Sequence, residues 1–393
     1  MISINNLSLN LERVASRVTS ENVELLRKKN YNVLELFGIP KRDLPEDTME
    51  VMKDFLLKQK VAPSCGIPEL KEEISRVIFE ETGVSIDPEK NVIITNGAMH
   101  ALNITFSTIL TPGDEVIIFA PCFFFGGIIE KAGGVPVYIN LKEDTGFKYD
   151  FKKLCANITG KTKAIILNSP ANPTGYVATH EDINELARIA EKYNLFIVTD
   201  ESYYTMIYDG LRNISMLEKE NIRDRVILIR SFTKTYAMPG WRVGFIIAEN
   251  EISNGLKKIL EWDVLFGNYF TQKVAEHVIK NSYQWVNKTS SEFQINRDIL
   301  FKSIIDKSNI FHAVKPKGGP FLFLNVSKIN LNCEKISKIL LENFGIQAEA
   351  GTYFKSKKHV RIMFGGEEQT LLMLIRRLRD AEEYFLKEGK VNL

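Results

Sequence analysis

Cysteine is scarce. Cys65, Cys122, Cys155 and Cys333 are scattered through 393 residues, with no pair at C-x-x-C spacing. That pattern argues against a disulfide framework or a zinc site, and a reducing cytoplasm is the expected compartment. No uncharged apolar run reaches the length of a membrane span. Met1 to Asn10 lacks the basic start and apolar core of a secretory signal. An excess of charge of one sign is missing too: 51 Lys and Arg stand against 49 Asp and Glu, a net charge of +2. Nothing therefore argues for a nucleic-acid or membrane partner. No G-x-G-x-x-G follows an apolar run, and Gly160-Lys161-Thr162 lacks the first glycine of a P-loop, which disfavours a nicotinamide dehydrogenase. There is no internal repeat and no low-complexity tract.

What is there suits a globular chain with ample core: 45% hydrophobic and 25% charged residues, enough for one large and one smaller domain. Short apolar runs at 91–95, 115–119, 135–140, 163–168, 195–199 and 226–229 alternate with helical patterns. Such alternation predicts an α/β protein with a mostly parallel sheet covered on both faces. Thr179, with Asp182 three residues on, predicts the capped start of one of these helices. His100 has no histidine partner at metal-like spacing and reads as packed or exposed on its helix.

The flanks are read more coarsely. Residues 9–29 predict an amphipathic helix, and Val33 to Phe37 a short strand before the Gly38-Ile39-Pro40 turn. Further helices are expected over 47–58 and from Pro68. After Ile247 the chain reads as helical through Asp306, with a break near Gly267. A hairpin-like pair over 311–326, strands over 346–354 and 360–365, and a helix from about 368 to 386 complete the expectation.

Ligands of doubly covered parallel sheets bind at the carboxyl ends of the strands, and several chemically suggestive turns fall there. Asn96-Gly97-Ala98-Met99 leads from a strand into a helix, and small residues at such a turn free backbone N–H groups for a phosphate. Phe123, Phe124 and Phe125 follow a strand and a proline. They suit either core or a flat face for a planar heteroaromatic ring. Ser169 to Gly175 holds two prolines with Asn172 and forces an irregular loop that admits a cis bond. Asp200 ends an apolar strand, where a carboxylate is costly unless it meets a cation.

The richest stretch is Ser231-Phe232-Thr233-Lys234, followed by Gly240-Trp241-Arg242-Val243-Gly244. A lysine delivered by a core strand has its pKa lowered by burial, and the neutral amine is then a nucleophile able to form a Schiff base. Ser231, Thr233 and Arg242 supply hydroxyls and a guanidinium fork suited to a phosphate dianion. Taken alone, the stretch also reads as a surface turn rich in hydroxyls.

In sequence order, Asn96-Gly97-Ala98, Asn172-Pro173-Thr174-Gly175, Asp200-Glu201-x-Tyr203, Ser231-x-Thr233-Lys234, Gly240-x-Arg242-x-Gly244 and Arg361 together resemble the class I/II aminotransferases. These are pyridoxal-phosphate enzymes of the aspartate-aminotransferase-like fold type I, and the resemblance runs from about Leu34 to Phe364. It implies pyridoxal 5'-phosphate as cofactor and Lys234 as the residue forming the internal aldimine and then moving the proton. It implies Asp200 against the pyridinium nitrogen, Tyr203 and Asn172 on the phenolic oxygen, and Phe123 stacked on the ring. Gly97, Ala98, Met99, Ser231, Thr233 and Arg242 would hold the phosphate. Arg361 would clamp the substrate carboxylate, helped by Asn172 and the backbone near Gly38.

The implied activity moves an amino group from an L-amino acid to a 2-oxo acid. The alternative with the same cofactor is a non-transaminase outcome, the elimination, cyclisation, oxidation or decarboxylation of an amino acid in a secondary-metabolite pathway. A regulator that keeps the fold as a sensor would need an added DNA-binding domain, for which there is no room before residue 30. The expected division is a large cofactor domain over 45–290 and a small domain from 1–44 and 291–393, and a homodimer is expected by analogy. Departures from the family pattern are Val61 in place of a tyrosine, Thr233 in place of a serine, and Gly38-Ile39-Pro40-Lys41 in place of Gly-x-Pro-Asp. Phe37, Phe123 and Tyr353 lean towards a hydrophobic or mixed substrate.

Overall fold

The computed structural model describes residues 32–36, 38–39, 43–57 and 60–391. The helix expected over 9–29, Phe37 and the Pro40-Lys41 pair lie outside these described residues. Seven strands form the main sheet: β1 (Val92–Thr95), β2 (Glu115–Ala120), β3 (Val135–Asn140), β4 (Thr162–Asn168), β5 (Phe196–Asp200), β6 (Val226–Ser231) and β7 (Gly244–Ala248). Their spatial order is β1-β7-β6-β5-β4-β2-β3. Every neighbouring pair from β3 across to β6 is parallel, while β7 runs antiparallel to both β6 and β1.

Successive strand residues point to opposite faces, and both faces are dry. Ile94, Ile117, Ile165, Ile197, Leu228 and Ile247 share one hydrophobic cluster. Their neighbours Ile93, Val116, Ile118, Ile166, Val198, Ile227 and Ile246 share another on the far side. Two-sided burial explains why these strands read as unbroken apolar runs rather than alternating ones. The helix His180–Tyr193 covers the sheet with the expected capping box: the Thr179 hydroxyl accepts from the Asp182 N–H, and the Asp182 carboxylate accepts from the Thr179 N–H.

A second sheet, of β8 (Phe321–Asn325), β9 (Ala348–Ala350) and β10 (His359–Met363), is antiparallel in the order β8-β10-β9. It packs against the helices Cys333–Phe344 and Glu368–Lys387 through its own cluster, which includes Ile336, Leu340, Leu371, Leu374 and Leu378.

Several flank readings change. Val33 to Leu36 is irregular backbone outside either sheet, turned where the Leu36 N–H donates to Leu34 O at 3.2 Å and anchored where the Leu34 N–H donates to Gly345 O at 2.8 Å. The strand expected through 354 stops at Ala350 and tightens into a 3₁₀ turn, Gly351–Phe354. The hairpin over 311–326 reduces to β8 and a bridge from His312 to Asn325, because Pro316 and Pro320 lack the N–H that a ladder needs. The helix break near Gly267 stands between Asn250–Val264 and Tyr269–Asn281. A further break at Ser282 has no Gly or Pro to announce it.

Candidate active site

The strand β6 runs out at Ser231, still extended (φ −139°, ψ 152°), and one helical turn, Phe232–Thr235, carries Lys234. Phe232 is fully buried and packs tilted against Tyr236 (ring centroids 4.8 Å) and edge-on to Phe245 (6.3 Å), which fixes the turn against the core. The Lys234 Nζ lies 5.6 Å from the centroid of the Tyr203 ring. Tyr203 in turn meets Phe321 of β8 edge-on at 5.0 Å.

Phe321 forms one wall of a slot for Arg361 of β10. The guanidinium carbon is 4.8 Å from that ring and 4.5 Å from the ring of Phe354, a cation held between two aromatic faces. From this slot Arg361 Nη1 donates to Asn172 Oδ1 at 2.6 Å. The Asn172 N–H donates to Asn168 Oδ1 at 2.8 Å, so the end of β4 positions the loop. The Ser169-Pro170 and Asn172-Pro173 bonds in that loop are both cis. Four residues drawn from separate places in the sequence, Lys234, Tyr203, Arg361 and Asn172, thus form one contiguous path across both sheets.

Asp200 is the last residue of β5 and is buried. Its Oδ1 accepts from the Ser202 N–H (3.0 Å) and hydroxyl (2.6 Å). Among the described residues, no Lys, Arg or His lies within ion-pair distance of it. Burial pushes its pKa above the ordinary value of 3.8, and the two Ser202 bonds pull the other way. The neighbouring Glu201 is quite different: Arg230 Nη2 (2.8 Å) and the Ser215 hydroxyl (2.8 Å) already hold it. Of the two acids, Asp200 is the one left to receive a cation from outside the chain.

At the end of β1, Gly97 takes φ +85° and opens the helix Ala98–Ile109 with no side-chain cap of its own. A Cβ on Gly97 would sit 2.6 Å from Arg242 Nη2, so only glycine leaves the guanidinium its place. Arg242 itself is left-handed (φ +55°); its Nη1 donates to Pro239 O at 3.1 Å and its Nη2 to Asn96 O at 3.5 Å. Free helix N–H groups and a guanidinium fork therefore converge, as an anion requires. Ala98 and the exposed Met99 begin that helix, and Ser231 pairs with Gly244 beside it. His100 serves the turn rather than a metal: its Nδ1 accepts from the Asn96 N–H, and its Nε2 lies 3.0 Å from Asp263.

Phe123 is half-buried, with ring centroids 4.9 Å from Phe124 and 5.5 Å from Phe125, so it packs among them while staying partly exposed. Gly38 rests on the second sheet, where a Cβ would come within 2.9 Å of Met363 Sδ. Thr233 lies on the lysine turn, partly exposed. Val61 is exposed on the rim of an open groove with Phe55, Leu56, Trp241, Phe266 and Phe270.

Sequence reasoning passed over Ser202, Phe321, Phe354 and Glu349. Ser202 sits within the Asp200-x-x-Tyr203 stretch, but its hydroxyl bond to Asp200 is a local turn contact. Phe321 and Phe354 look like ordinary core. Glu349 had a signal in the alternation Gln347-Ala348-Glu349-Ala350: the alanines are buried while the polar residues face the cleft. Arg361 Nη2 donates to Glu349 Oε2, and the two residues are register partners on β10 and β9.

A strand-end amine, a buried acid lacking a cation, an anion cradle and an aromatic-walled guanidinium define the site of a pyridoxal-phosphate-dependent transferase. Two of these features test the fit directly: the uncompensated Asp200 suits a ring nitrogen that carries a proton, and the Gly97–Arg242 approach suits a phosphate. The model for aminotransferase class I and II matches residues 38–378. A probable aspartate aminotransferase of Methanocaldococcus jannaschii is 38% identical over 315 residues, 78% of this chain and 81% of that protein. The aspartate aminotransferase of Pyrococcus horikoshii is 32% identical over 384 residues, 95% of this chain and 97% of that one. The solved structure of Thermus thermophilus aspartate aminotransferase with maleate matches with a TM-score of 0.89 at 28% identity, covering 96% and 99% of the two chains. The chain belongs to the class I and II aminotransferase family: it is an enzyme that transfers amino groups and uses pyridoxal 5'-phosphate.

Proposed function

We propose that this aminotransferase works through the residues just described, each at its own strand end. Bound there, pyridoxal phosphate supplies the electron sink that lets a donor amino acid release its Cα proton. Lys234 would hold the cofactor covalently, and its amine would move that proton. Asp200 offers its buried carboxylate to the ring nitrogen. Tyr203 and Asn172 hydrogen-bond the phenolic oxygen, and Phe123 gives the ring a flat neighbour. Gly97, Ala98 and Met99 donate backbone N–H groups to the phosphate, joined by Ser231, Thr233 and Arg242. Arg361, steadied by Phe321 and Phe354, grips the α-carboxylate with Asn172 and the backbone at Gly38.

The observation that carries this reading is the continuous path from Lys234 through Tyr203 and Phe321 to Arg361 and Asn172. Proximity of base, ring site and carboxylate grip is what a proton shift between two carbon atoms requires. Borohydride reduction followed by peptide mass spectrometry tests it. The adduct is expected on Lys234, and an adduct elsewhere, or none, overturns the assignment.

The organisation of the molecule belongs to the same proposal. A large domain over 45–290 and a small one from 1–44 and 291–393 are supported by the two sheets and their separate cores. A homodimer is supported by exposed apolar side chains that share a groove with Arg242, namely Leu56, Val61 and Phe266. A cytoplasmic setting is supported by four free thiols. Among the described residues, no helix is long and apolar enough to cross a membrane.

A further inference from the structure

The carboxylate of Glu349 occupies one arm of the guanidinium that is to grip the substrate. Arg361 Nη1 is given to Asn172 and Nη2 to Glu349, and the Glu349 side chain is only 12% exposed. Among the described residues, Arg361 is the only ion-pair partner of Glu349. A cavity of about 50 Å³ opens beside the pair, lined by Leu36, Gln347, Glu349, Arg361 and Met363. That is space for roughly three to four water-sized groups.

Charge balance then constrains the donor. As it stands, the pair is neutral. A donor's α-carboxylate that takes both arms of Arg361 evicts Glu349 and leaves one buried carboxylate without a counter-ion. Leaving one member of a buried pair uncompensated is strongly unfavourable. The α-amino group cannot serve as that counter-ion, because it is consumed in joining the cofactor. A donor with a second carboxylate makes the imbalance worse. A donor whose side chain ends in a cation removes it: the ammonium or guanidinium enters the cavity and takes Glu349, and the Gln347 amide oxygen adds a second acceptor.

We propose that Glu349 is a specificity-determining residue that selects amino donors with a cationic side chain and rejects dicarboxylic ones. This rests on the assignment of Arg361 to the α-carboxylate and deepens it to a substrate class.

The test uses the holoenzyme and ligands that cannot react because they lack an α-amino group. Titration calorimetry compares 5-guanidinopentanoate, hexanoate and adipate. The guanidino acid is expected to bind at least ~10-fold more tightly than hexanoate, and adipate more weakly than both, as desolvated charge pairs dictate. In Glu349→Gln the guanidino preference should shrink to within about 3-fold and adipate should tighten. A flat or inverted ranking in the unmodified enzyme overturns the proposal whatever the variant does. An unchanged ranking in Glu349→Gln overturns it as well. In parallel, lysine and arginine are compared with norleucine and glutamate as donors, following conversion of the cofactor to its pyridoxamine form. If the guanidino acid binds best but no donor converts the cofactor, the substrate class stands and it is transamination that fails.

Discussion

At the scale of single residues, the site is assembled from groups that are poor company for themselves. Asp200 is the clearest case: burial raises its pKa, so the folded chain holds a proton there more readily than the unfolded one does. Its contribution to stability is therefore highest below the ordinary 3.8 and falls as pH climbs through the raised value. At neutral pH it weighs against the cofactor-free fold. Asp200→Ala should accordingly leave the melting temperature of the cofactor-free protein unchanged or higher. The same change should lower kcat/KM by about 100-fold or more through loss of charge stabilisation at the ring nitrogen. Calorimetry and steady-state kinetics on one preparation check both halves, and near-native turnover would remove Asp200 from the ring. Asp200 was legible because a charged residue ending an apolar run is a local anomaly, and Lys234 and Arg242 because hydroxyls and glycines cluster around them just after another such run. For Glu349 the alternation around it showed at most which way it faces, and its role needed the register partner, Arg361, to be known.

Strand-turn-helix elements are the working unit at the next scale. In the β1 element the turn places Gly97 at a positive φ, directly against Arg242 Nη2. Gly97→Ala meets both obstacles, a strained backbone and a Cβ in the place of the guanidinium. It should weaken pyridoxal phosphate binding by about 10-fold or more, on the basis of roughly 1–3 kcal/mol for an unfavourable φ. Reconstitution of the cofactor-free protein, followed by absorbance, measures this. Elements of this kind carry their signals within a dozen residues, so the main sheet was readable from the chain. The second sheet was not read as well. Its strands are short, β9 spans only three residues, and prolines interrupt the pairing before β8. Such strands are specified by partners far along the sequence rather than by their own pattern. The antiparallel direction of β7 was equally hidden, because a strand buried on both faces looks alike in either direction.

Over the whole molecule, the site joins two sheets with separate cores. The groove beside Arg242 exposes aromatic and aliphatic side chains, among them Leu56 at 63%, Val61 at 63% and Phe266 at 50%. Patches of this kind mark association surfaces. Sedimentation should give a particle of twice the 44.8 kDa chain mass. Phe266→Lys, placed on that rim, should shift the distribution towards single chains, and a monomeric unmodified protein would refute the dimer. The bond from Arg361 to Asn172 spans 189 residues of sequence. During synthesis, every group proposed to touch the cofactor has left the ribosome well before the arginine proposed to grip the carboxylate has been made. The growing chain thus releases the residues proposed to hold the cofactor before those proposed to choose the donor.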